Sequence, residues 1–293
     1  MDSPEGEDVS DLVRQYCSHG RVGRYITTGN VLAAKRNEGA RQSNGGLLIF
    51  LDDDLRIPTG FVRAHVAAHD SRPALVSGQI VFPTPWVRER NYYRYKSSRH
   101  LNSKNGATRT TDIPAHRVVA MNCSVSARAF EQVGGFAEIF VHYGGEDAEF
   151  GFRCARHGLE LLYSPDPVGV HQEVEGDVTT FIRKIYIASL TSTLLLLSAA
   201  PEASAVPTVR WTEPGIADNT RDKAAHLALR LLSRAWLLRR ILHVLESTDR
   251  ERWLYSPLAY KAVTLMAAQL GGADRRAGRD RRETPRGEAA ASE

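Results

Sequence analysis

Apolar positions in the first part of the chain switch between helical and strand-like spacing. Val9, Leu12, Val13 and Tyr16 recur as on one face of a helix, whereas Leu47–Leu51 is an unbroken apolar run of strand length. Helices alternating with short apolar strands are typical of a parallel sheet. The pattern therefore predicts an α/β fold with a mostly parallel sheet and helices on both faces. The predicted elements are helices over 9–16, 31–43 and 58–68, and strands over 24–26, 47–51 and 74–81.

The alternation stops over residues 83–113. This segment contains two prolines, Trp86 and three tyrosines, but it has no clear hydrophobic period. Two interpretations stay open: a surface excursion that packs its own tyrosines, or a functional loop that holds a polar, ring-shaped ligand. The regular pattern then returns. Strands are predicted over 118–121, 160–163 and 168–171, and helices are predicted to begin at Ser126 and Glu146.

From Gly176 onward the chain has the pattern of a helical appendage with a loop over 201–219. Between Asp218 and Ser247, leucines and alanines form one apolar stripe flanked by arginines. This stripe suits packing against the first domain or, as the alternative, contact with a membrane surface. Beyond Gly271 there are almost no core-forming residues. We therefore expect an α/β domain over 1–175, a helical C-terminal region over 176–272 and a disordered tail over 273–293.

Composition narrows the classes of function. With 293 residues, 42% of them hydrophobic, the chain can bury a large core. The formal charge of +4 is mild, and no aromatic-spaced basic signature predicts binding to nucleic acid. Three cysteines without CxxC spacing are typical of thiols in a reducing cytoplasm. The longest uncharged run, 185–200, is shorter than the ~20 residues of a bilayer span and is interpreted as a buried helix.

The run Asp52-Asp53-Asp54, directly after the apolar strand, is the first candidate site. Side chains alternate along an extended chain, so Asp52 and Asp54 point to one side and Asp53 to the other. Converging carboxylates repel each other unless a cation lies between them. Ligands of open α/β sheets also bind at the carboxyl ends of strands. A solvated acidic turn is the alternative interpretation of the triplet taken alone.

A second candidate site begins at Gly144-Gly145. Glu146 and Asp147 follow in the first turn of a predicted helix, where free N–H groups and the helix dipole favour anions. Ordinary helix-start chemistry explains these two residues alone, but the glycines allow a ligand to approach closely. His171 ends a short apolar run, and it becomes a candidate ligand only where carboxylates gather nearby.

The order of these segments resembles the family 2 glycosyltransferases of the GT-A fold. The matching run extends from about Asp2 to Gln172. Each segment alone is a weak signal, whereas all of them in the order of the family are a strong one. The segments are Asp2-Ser3, Ala33–Gly39, Phe50–Asp54, Met121–Ser126, Phe130–Phe136, Gly144–Arg153 and Val170-His171.

The resemblance implies transfer of a sugar from a nucleoside-diphosphate sugar, such as a UDP- or GDP-sugar, to an acceptor hydroxyl with inversion at the anomeric carbon. The acceptor would be a saccharide, a lipid-linked molecule or a small molecule. By the same resemblance Asp147 is the catalytic base, and Glu146 helps to bind the acceptor. The implied ligands of Mn²⁺ or Mg²⁺ are Asp52, Asp54 and His171. The implied nucleotide contacts are Arg36, Asp52 and Asp53.

Elementary chemistry agrees with these roles. A nucleoside diphosphate leaves poorly until its charge is compensated, and a divalent cation supplies that compensation. Oxygen ligands with one imidazole suit Mn²⁺ or Mg²⁺. Inversion needs a base on the side opposite the leaving group, and a carboxylate at a helix start can be directed there.

The family opens with two apolar strands that contribute to the nucleotide pocket, and only the end of the second has a counterpart here, at Asp2. The given sequence is therefore expected to lack those strands, either because the true start of the protein lies upstream of Met1, which we favour, or because the chain is a fragment. Two alternatives to an active transferase stay open. One is a catalytically impaired GT-A-like remnant that serves as a binding or partner domain. The other is a sugar-nucleotide pyrophosphorylase, which would need a glycine-rich phosphate loop that the sequence does not show. The expected location is the cytoplasm, including the inner face of the membrane.

Overall fold

The computed structural model describes residues 10–17, 26, 29–69, 72–100, 111–173, 176–216 and 219–279. Over these ranges the chain forms six strands and thirteen α-helices. The strands are β1 (Leu47–Leu51), β2 (Leu55–Arg56), β3 (Ala74–Val81), β4 (Thr111–Asp112), β5 (Asn122–Ser126) and β6 (Glu160–His171). The helices are α1 (Ser10–Tyr16), α2 (Leu32–Arg41), α3 (Phe61–Ala68), α4 (Thr84–Glu89), α5 (Asn91–Arg99), α6 (Ala127–Val133), α7 (Glu146–Arg156), α8 (Val178–Thr191), α9 (Thr193–Ala199), α10 (Pro207–Thr212), α11 (Thr220–Leu232), α12 (Ala235–Ser247) and α13 (Pro257–Arg276). The strand expected over 24–26 lies largely outside the described residues.

The six strands form one mixed sheet in the order β1-β5-β3-β6-β2, with β4 also paired to β6. The α/β class with a C-terminal helical region is confirmed, but the pairing differs from the expected mostly parallel one. Within the described ranges only β3 and β6 run parallel. The strand β5 runs antiparallel to both β1 and β3 because the excursion between β3 and β5 returns to the sheet from its other end. A pattern of apolar positions predicts a strand but not the direction in which that strand enters the sheet.

Helices cover both faces of the sheet, as expected. One face carries the largest core, in which Phe50 and Leu75 from the strands pack against helices α2, α6 and α7. The opposite face carries a smaller cluster of Ala74, Val76 and Leu162 under α3. Neighbouring residues such as Leu75 and Val76 therefore serve different cores, as the two-residue period of a strand requires.

Two strand predictions require correction. The strand predicted over 118–121 lies instead at Asn122–Ser126. The hydrophobic pattern did not predict this strand because two of its buried residues are polar. Asn122 and Ser124 each bond the imidazole of His65 at 2.9 Å. The strands predicted over 160–163 and 168–171 are one continuous strand, β6. Its prolines fall at an irregularity in the β3–β6 register, where a missing N–H is tolerated.

The segment 83–113, in which the sequence shows no clear hydrophobic period, contains helices α4 and α5. The three tyrosines of α5 are fully buried in a second core shared with α8, α12 and α13. Tyr95 stacks on Tyr260 of α13 with ring centroids 4.7 Å apart. The buried face of α5 consists mainly of tyrosines, so the helix has no clear aliphatic period. For this reason the hydrophobic pattern did not predict it. The segment is therefore not the surface excursion of the first interpretation, because its tyrosines pack against the C-terminal helices.

The C-terminal region also differs in detail from the prediction. The apolar stripe expected between Asp218 and Ser247 is split at Ser233-Arg234 into α11 and α12, and the predicted loop over 201–219 contains α10. Leu238, Leu242 and Leu245 are buried, as packing against the rest of the molecule requires. The last helix, α13, continues beyond Gly272 to Arg276 because Asp274 is buried and accepts a hydrogen bond from Tyr186.

The uncharged run 185–200 forms the end of α8 and the whole of α9, and two of its leucines, Leu194 and Leu195, are exposed. Among the described helices, none alone is long and apolar enough to cross a membrane. The helices α8 and α9, bent by 51° at Ser192, pass that length and composition test only as a pair.

Candidate active site

The two sequence-predicted sites meet in one cleft of about 460 Å³. Asp52 and Asp54 reach it from the end of β1, and His171 reaches it from the end of β6. Glu146 and Asp147 enter from the start of α7. The remaining predicted residue on its wall is Arg36, from α2. The carboxyl ends of β1 and β6 thus bring together side chains that are far apart in sequence.

Arg36 connects the two acidic groups. Its Nη2 donates to Asp52 Oδ1 at 3.2 Å, and its Nη1 lies 3.4 Å from both Glu146 Oε1 and Asp147 Oδ1. Only 10% of the Arg36 side chain is exposed. Three carboxylates could not lie this close in a partly buried cleft without such a cation between them. Arg36 therefore holds the end of β1 and the start of α7 together.

The start of α7 depends on two glycines. Gly145, with φ of 103°, precedes Glu146, and a side chain there would collide with the ring of Phe140 at 2.8 Å. Gly151 allows the helix to approach the turn Ala115–Arg117, where a Cβ atom would lie 2.4 Å from Ala115 O. These close approaches fix the position of Glu146 and Asp147 in the cleft.

Asp147 has an unusual environment for a carboxylate. Its Oδ2 accepts a hydrogen bond from the N–H of Ala120 at 3.2 Å, and its Oδ1 faces Arg36. Burial, followed by the charge of Glu146, raises the pKa of Asp147 to about 7, although Arg36 and Ala120 act in the opposite direction. With 28% of its side chain exposed, Asp147 is still accessible from the cleft. A carboxyl group with this pKa can accept a proton near neutral pH.

Asp54 and His171 form the second reactive pair. His171 Nε2 lies 2.8 Å from Asp54 Oδ2, and β2 holds the two residues together, because Leu55 pairs with His171. The Nδ1 atom of His171 is buried and has no partner among the described residues. A carboxylate oxygen and an imidazole nitrogen in contact are a donor set that suits Mn²⁺ or Mg²⁺.

Asp52 was predicted to be the third metal ligand, but it faces Arg36 instead. Within the described ranges, no three His, Cys, Asp or Glu side chains are grouped to hold a metal ion. Asp53 lies outside the cleft, but Asp53 and Asp54 belong to a turn after β1, so the predicted alternation of extended side chains does not apply to them. It lines a neighbouring groove of about 500 Å³, which runs along β1 beside α2 and also contacts Arg36, Asp52 and Asp54.

The sequence analysis missed a group of basic side chains on the wall of the cleft. Arg99, Arg117 and Lys184 line this part of the cleft. Lys96 lies beside them and is neutralised, because its Nζ contacts both oxygens of Glu173 at 3.0 and 3.1 Å. Tyr92 donates to the same carboxylate at 3.2 Å. The only available signal was the basic and aromatic character of the segment 83–113, which does not specify the fold that brings these residues to the cleft.

The mixed sheet with helices on both faces belongs to the GT-A class of α/β folds. A solved structure, the mannosyltransferase PcManGT from Pyrobaculum calidifontis in complex with GDP-Man and Mn²⁺, shares this fold with a TM-score of 0.52. The match covers 95% of this chain and 77% of that one at 18% identity.

The sequence profile of glycosyl transferase family group 2 matches residues 47–267, which is most of the chain. The chain belongs to this family. Curated relatives include a validoxylamine A glucosyltransferase of Streptomyces hygroscopicus subsp. jinggangensis, 26% identical over 58% of this chain. A hyaluronan synthase of Pasteurella multocida is 26% identical over 60% of this chain. The matched part is 46% of the former protein and 21% of the latter, so the chain spans less than half of each.

Proposed function

We propose that this chain transfers a sugar from a nucleoside-diphosphate sugar to an acceptor hydroxyl, with inversion and with dependence on a divalent cation. The observation that carries the proposal is the convergence of Asp54 with His171 and of Arg36 with Asp147 in one cleft. Membership of the family and the fold shared with a GDP-mannose-bound transferase support it.

The donor end of the cleft lies at the carboxyl ends of β1 and β6. Asp54 and His171 would hold the metal ion, and Asp52 would join them after releasing Arg36. A divalent cation bound there supplies charge compensation for the diphosphate leaving group. The groove along β1 is open beside these residues and suits the nucleoside, with Asp53 and Arg36 as its polar contacts.

Asp147 is proposed as the base that takes the proton of the acceptor hydroxyl. The N–H of Ala120 and the guanidinium of Arg36 hold its carboxylate in place. Its raised pKa makes it a stronger proton acceptor than an ordinary aspartate, while much of it is still ionised at neutral pH. Glu146, which is bonded to the same Arg36, would bind a further hydroxyl of the acceptor.

The metal assignment is tested by binding, independently of turnover. In the Asp54→Ala variant, the increase in UDP or GDP affinity that Mn²⁺ produces in the parent should be lost in isothermal titration calorimetry. Asp166→Ala, which removes an exposed carboxylate outside the cleft, is the matched control and should behave like the parent. Undiminished Mn²⁺-dependent binding by Asp54→Ala would show that this residue does not hold the metal.

We also propose that the protein works in the cytoplasm at the surface of an anionic membrane, where a lipid-linked acceptor would be available. Support comes from the corner between α11 and α12, where Leu231, Leu232 and Trp236 are each about 60% exposed beside Arg230 and Arg234. Apolar side chains among arginines suit the interface of an anionic bilayer. The buried free thiols of Cys123 and Cys154 agree with a reducing compartment.

The membrane proposal predicts co-sedimentation with vesicles that contain anionic lipid. Replacing Leu231 and Trp236 together by Gln should reduce the bound fraction, because the apolar contacts are lost while the arginines stay. Val66→Gln, at an equally exposed apolar position on α3, is the control and should leave binding unchanged. Equal binding by the double variant and the parent would contradict the assignment of this surface.

A further inference from the structure

The basic wall of the cleft (Arg99, Arg117 and Lys184) has no part in the proposed reaction. Unlike Lys96, which is paired with Glu173, none of the three has a carboxylate oxygen within 4.0 Å among the described residues. These cations line the same cleft as Asp147. Neighbouring positive charges without a carboxylate in contact repel each other, and a bound anion would relieve that repulsion.

Each of the two arginines is held in place by a hydrogen bond in spite of this repulsion. Arg117 Nη2 donates to the carbonyl oxygen of Arg99 at 3.2 Å, and Arg99 Nη1 donates to the hydroxyl of Tyr95 at 3.1 Å. Burial and the charge of Arg99 lower the pKa of Arg117. Neither contact uses all the N–H donors of a guanidinium group, so both side chains can still bind the oxygens of an anion.

The basic wall adjoins Asp147 as well as the metal end of the cleft. Arg117 ends the turn that packs against α7, and Ala120, a little further along the same segment, donates its N–H to Asp147. The Lys184 ammonium lies 5.6 Å from the ring centroid of Tyr143, which shortly precedes Glu146 and Asp147 in the chain. An anionic group held by this wall would therefore bring the rest of its molecule close to the proposed base.

We propose that Arg99, Arg117 and Lys184 bind a phosphate group carried by the acceptor. This inference rests on the proposed function, since it identifies the chemical class of the acceptor of that reaction. Guanidinium groups match the oxygens of phosphate in pairs, and the neighbouring ammonium adds a third cation. The phosphate belongs to a phosphorylated sugar or to a phosphorylated lipid, since both present the same chemistry to the wall.

The direct test uses inorganic phosphate as the probe. The full chain should bind it saturably in calorimetry, and Arg99→Gln/Arg117→Gln should lose ~10-fold or more of that affinity. Arg88→Gln, which removes an exposed arginine of α4 outside the cleft, should bind phosphate like the parent. Absence of phosphate binding by the parent, or unchanged binding by the double variant, would overturn the proposal.

Transfer assays distinguish the two sources of the phosphate and the role of the donor. Nucleotide release is compared for methyl glucoside against glucose 1-phosphate, and for geraniol against geranyl phosphate. The phosphorylated member of one pair should react faster, and the double variant should lose that advantage while its Mn²⁺-dependent affinity for UDP or GDP stays unchanged. A parallel loss of nucleotide affinity would assign the wall to the donor diphosphate and overturn the proposal. If the proposed function itself were wrong, the parent chain would not bind UDP or GDP in a Mn²⁺-dependent way, and this result is distinct from the outcomes for the double variant.

Discussion

At the scale of single residues, the cleft is organised by one cation and the carboxylates around it. Arg36 contacts Asp52, Glu146 and Asp147, although the sequence places it far from the last two. In this arrangement Asp147 keeps a raised pKa because burial and the charge of Glu146 outweigh the attraction of Arg36. The proton affinity of the proposed base is thus adjusted by its acidic neighbour.

This arrangement predicts a specific pH dependence. An ionised Asp147 is required for proton removal, so turnover should rise as pH increases through about 7. In Glu146→Gln the repelling charge is gone, the pKa of Asp147 falls, and the rising limb of kcat against pH should move to lower pH by ~1 unit.

Measuring kcat at saturating acceptor separates this shift from weaker acceptor binding. Glu131→Gln, on the exposed side of α6, is the control and should keep the profile of the parent. A Glu146→Gln profile displaced to higher pH, or not displaced at all, would contradict the electrostatic account.

The residues with the clearest chemistry were predictable from the sequence, and those with the least distinctive chemistry were not. Asp52, Asp54, Asp147 and His171 stand at element ends, and the fold brings them together. The contact of Asp52 with Arg36 was not predictable, because strand alternation gives the direction of a side chain but not its partner. Arg99 and Arg117 have no local signal, since the place of Arg99 depends on how α5 packs in the helical core and that of Arg117 on how the turn Ala115–Arg117 packs against α7.

At the scale of elements, α5 is the clearest case of tertiary contacts deciding the structure. Residues just after α12 hold the start of α5 in place. Asp249 accepts a hydrogen bond from the N–H of Tyr92 at 2.7 Å and another from the guanidinium of Arg90 at 2.5 Å. Asn91 donates to the carbonyl oxygens of Thr248 and Glu251. Because these partners lie some 160 positions away, a window of local sequence could not predict the helix.

Asp249→Ala should therefore destabilise the whole fold. It leaves the buried N–H of Tyr92 and the partly exposed guanidinium of Arg90 without their acceptor, which costs ~1–3 kcal/mol. Urea denaturation should show a lower midpoint for this variant. Glu246→Ala, on the exposed face of α12, should change the midpoint little. An equal midpoint for Asp249→Ala and the parent would show that α5 is held by its tyrosines alone.

At the scale of the whole molecule, the cleft belongs to both parts of the chain. The sheet supplies Asp54 and His171, whereas α5 and α8 of the helical core supply Arg99 and Lys184. The expected boundary at residue 175 was placed where strands give way to helices, yet α5 packs with the helices beyond that point. Composition and pattern thus predicted the α/β class and the helical region, while the way the two parts share one cleft follows only from tertiary packing.

The central claim is that this cleft transfers sugar with Asp147 as the base. The most direct measurement is nucleotide release by the 293-residue chain with Mn²⁺, a panel of UDP- and GDP-sugars and the acceptor panel described above, for the parent and for Asp147→Asn. Asparagine keeps the size of the side chain but cannot take the proton, so turnover should fall by ~10²–10⁴ while donor affinity is retained. A folded Asp147→Asn variant that releases nucleotide as fast as the parent would contradict the account.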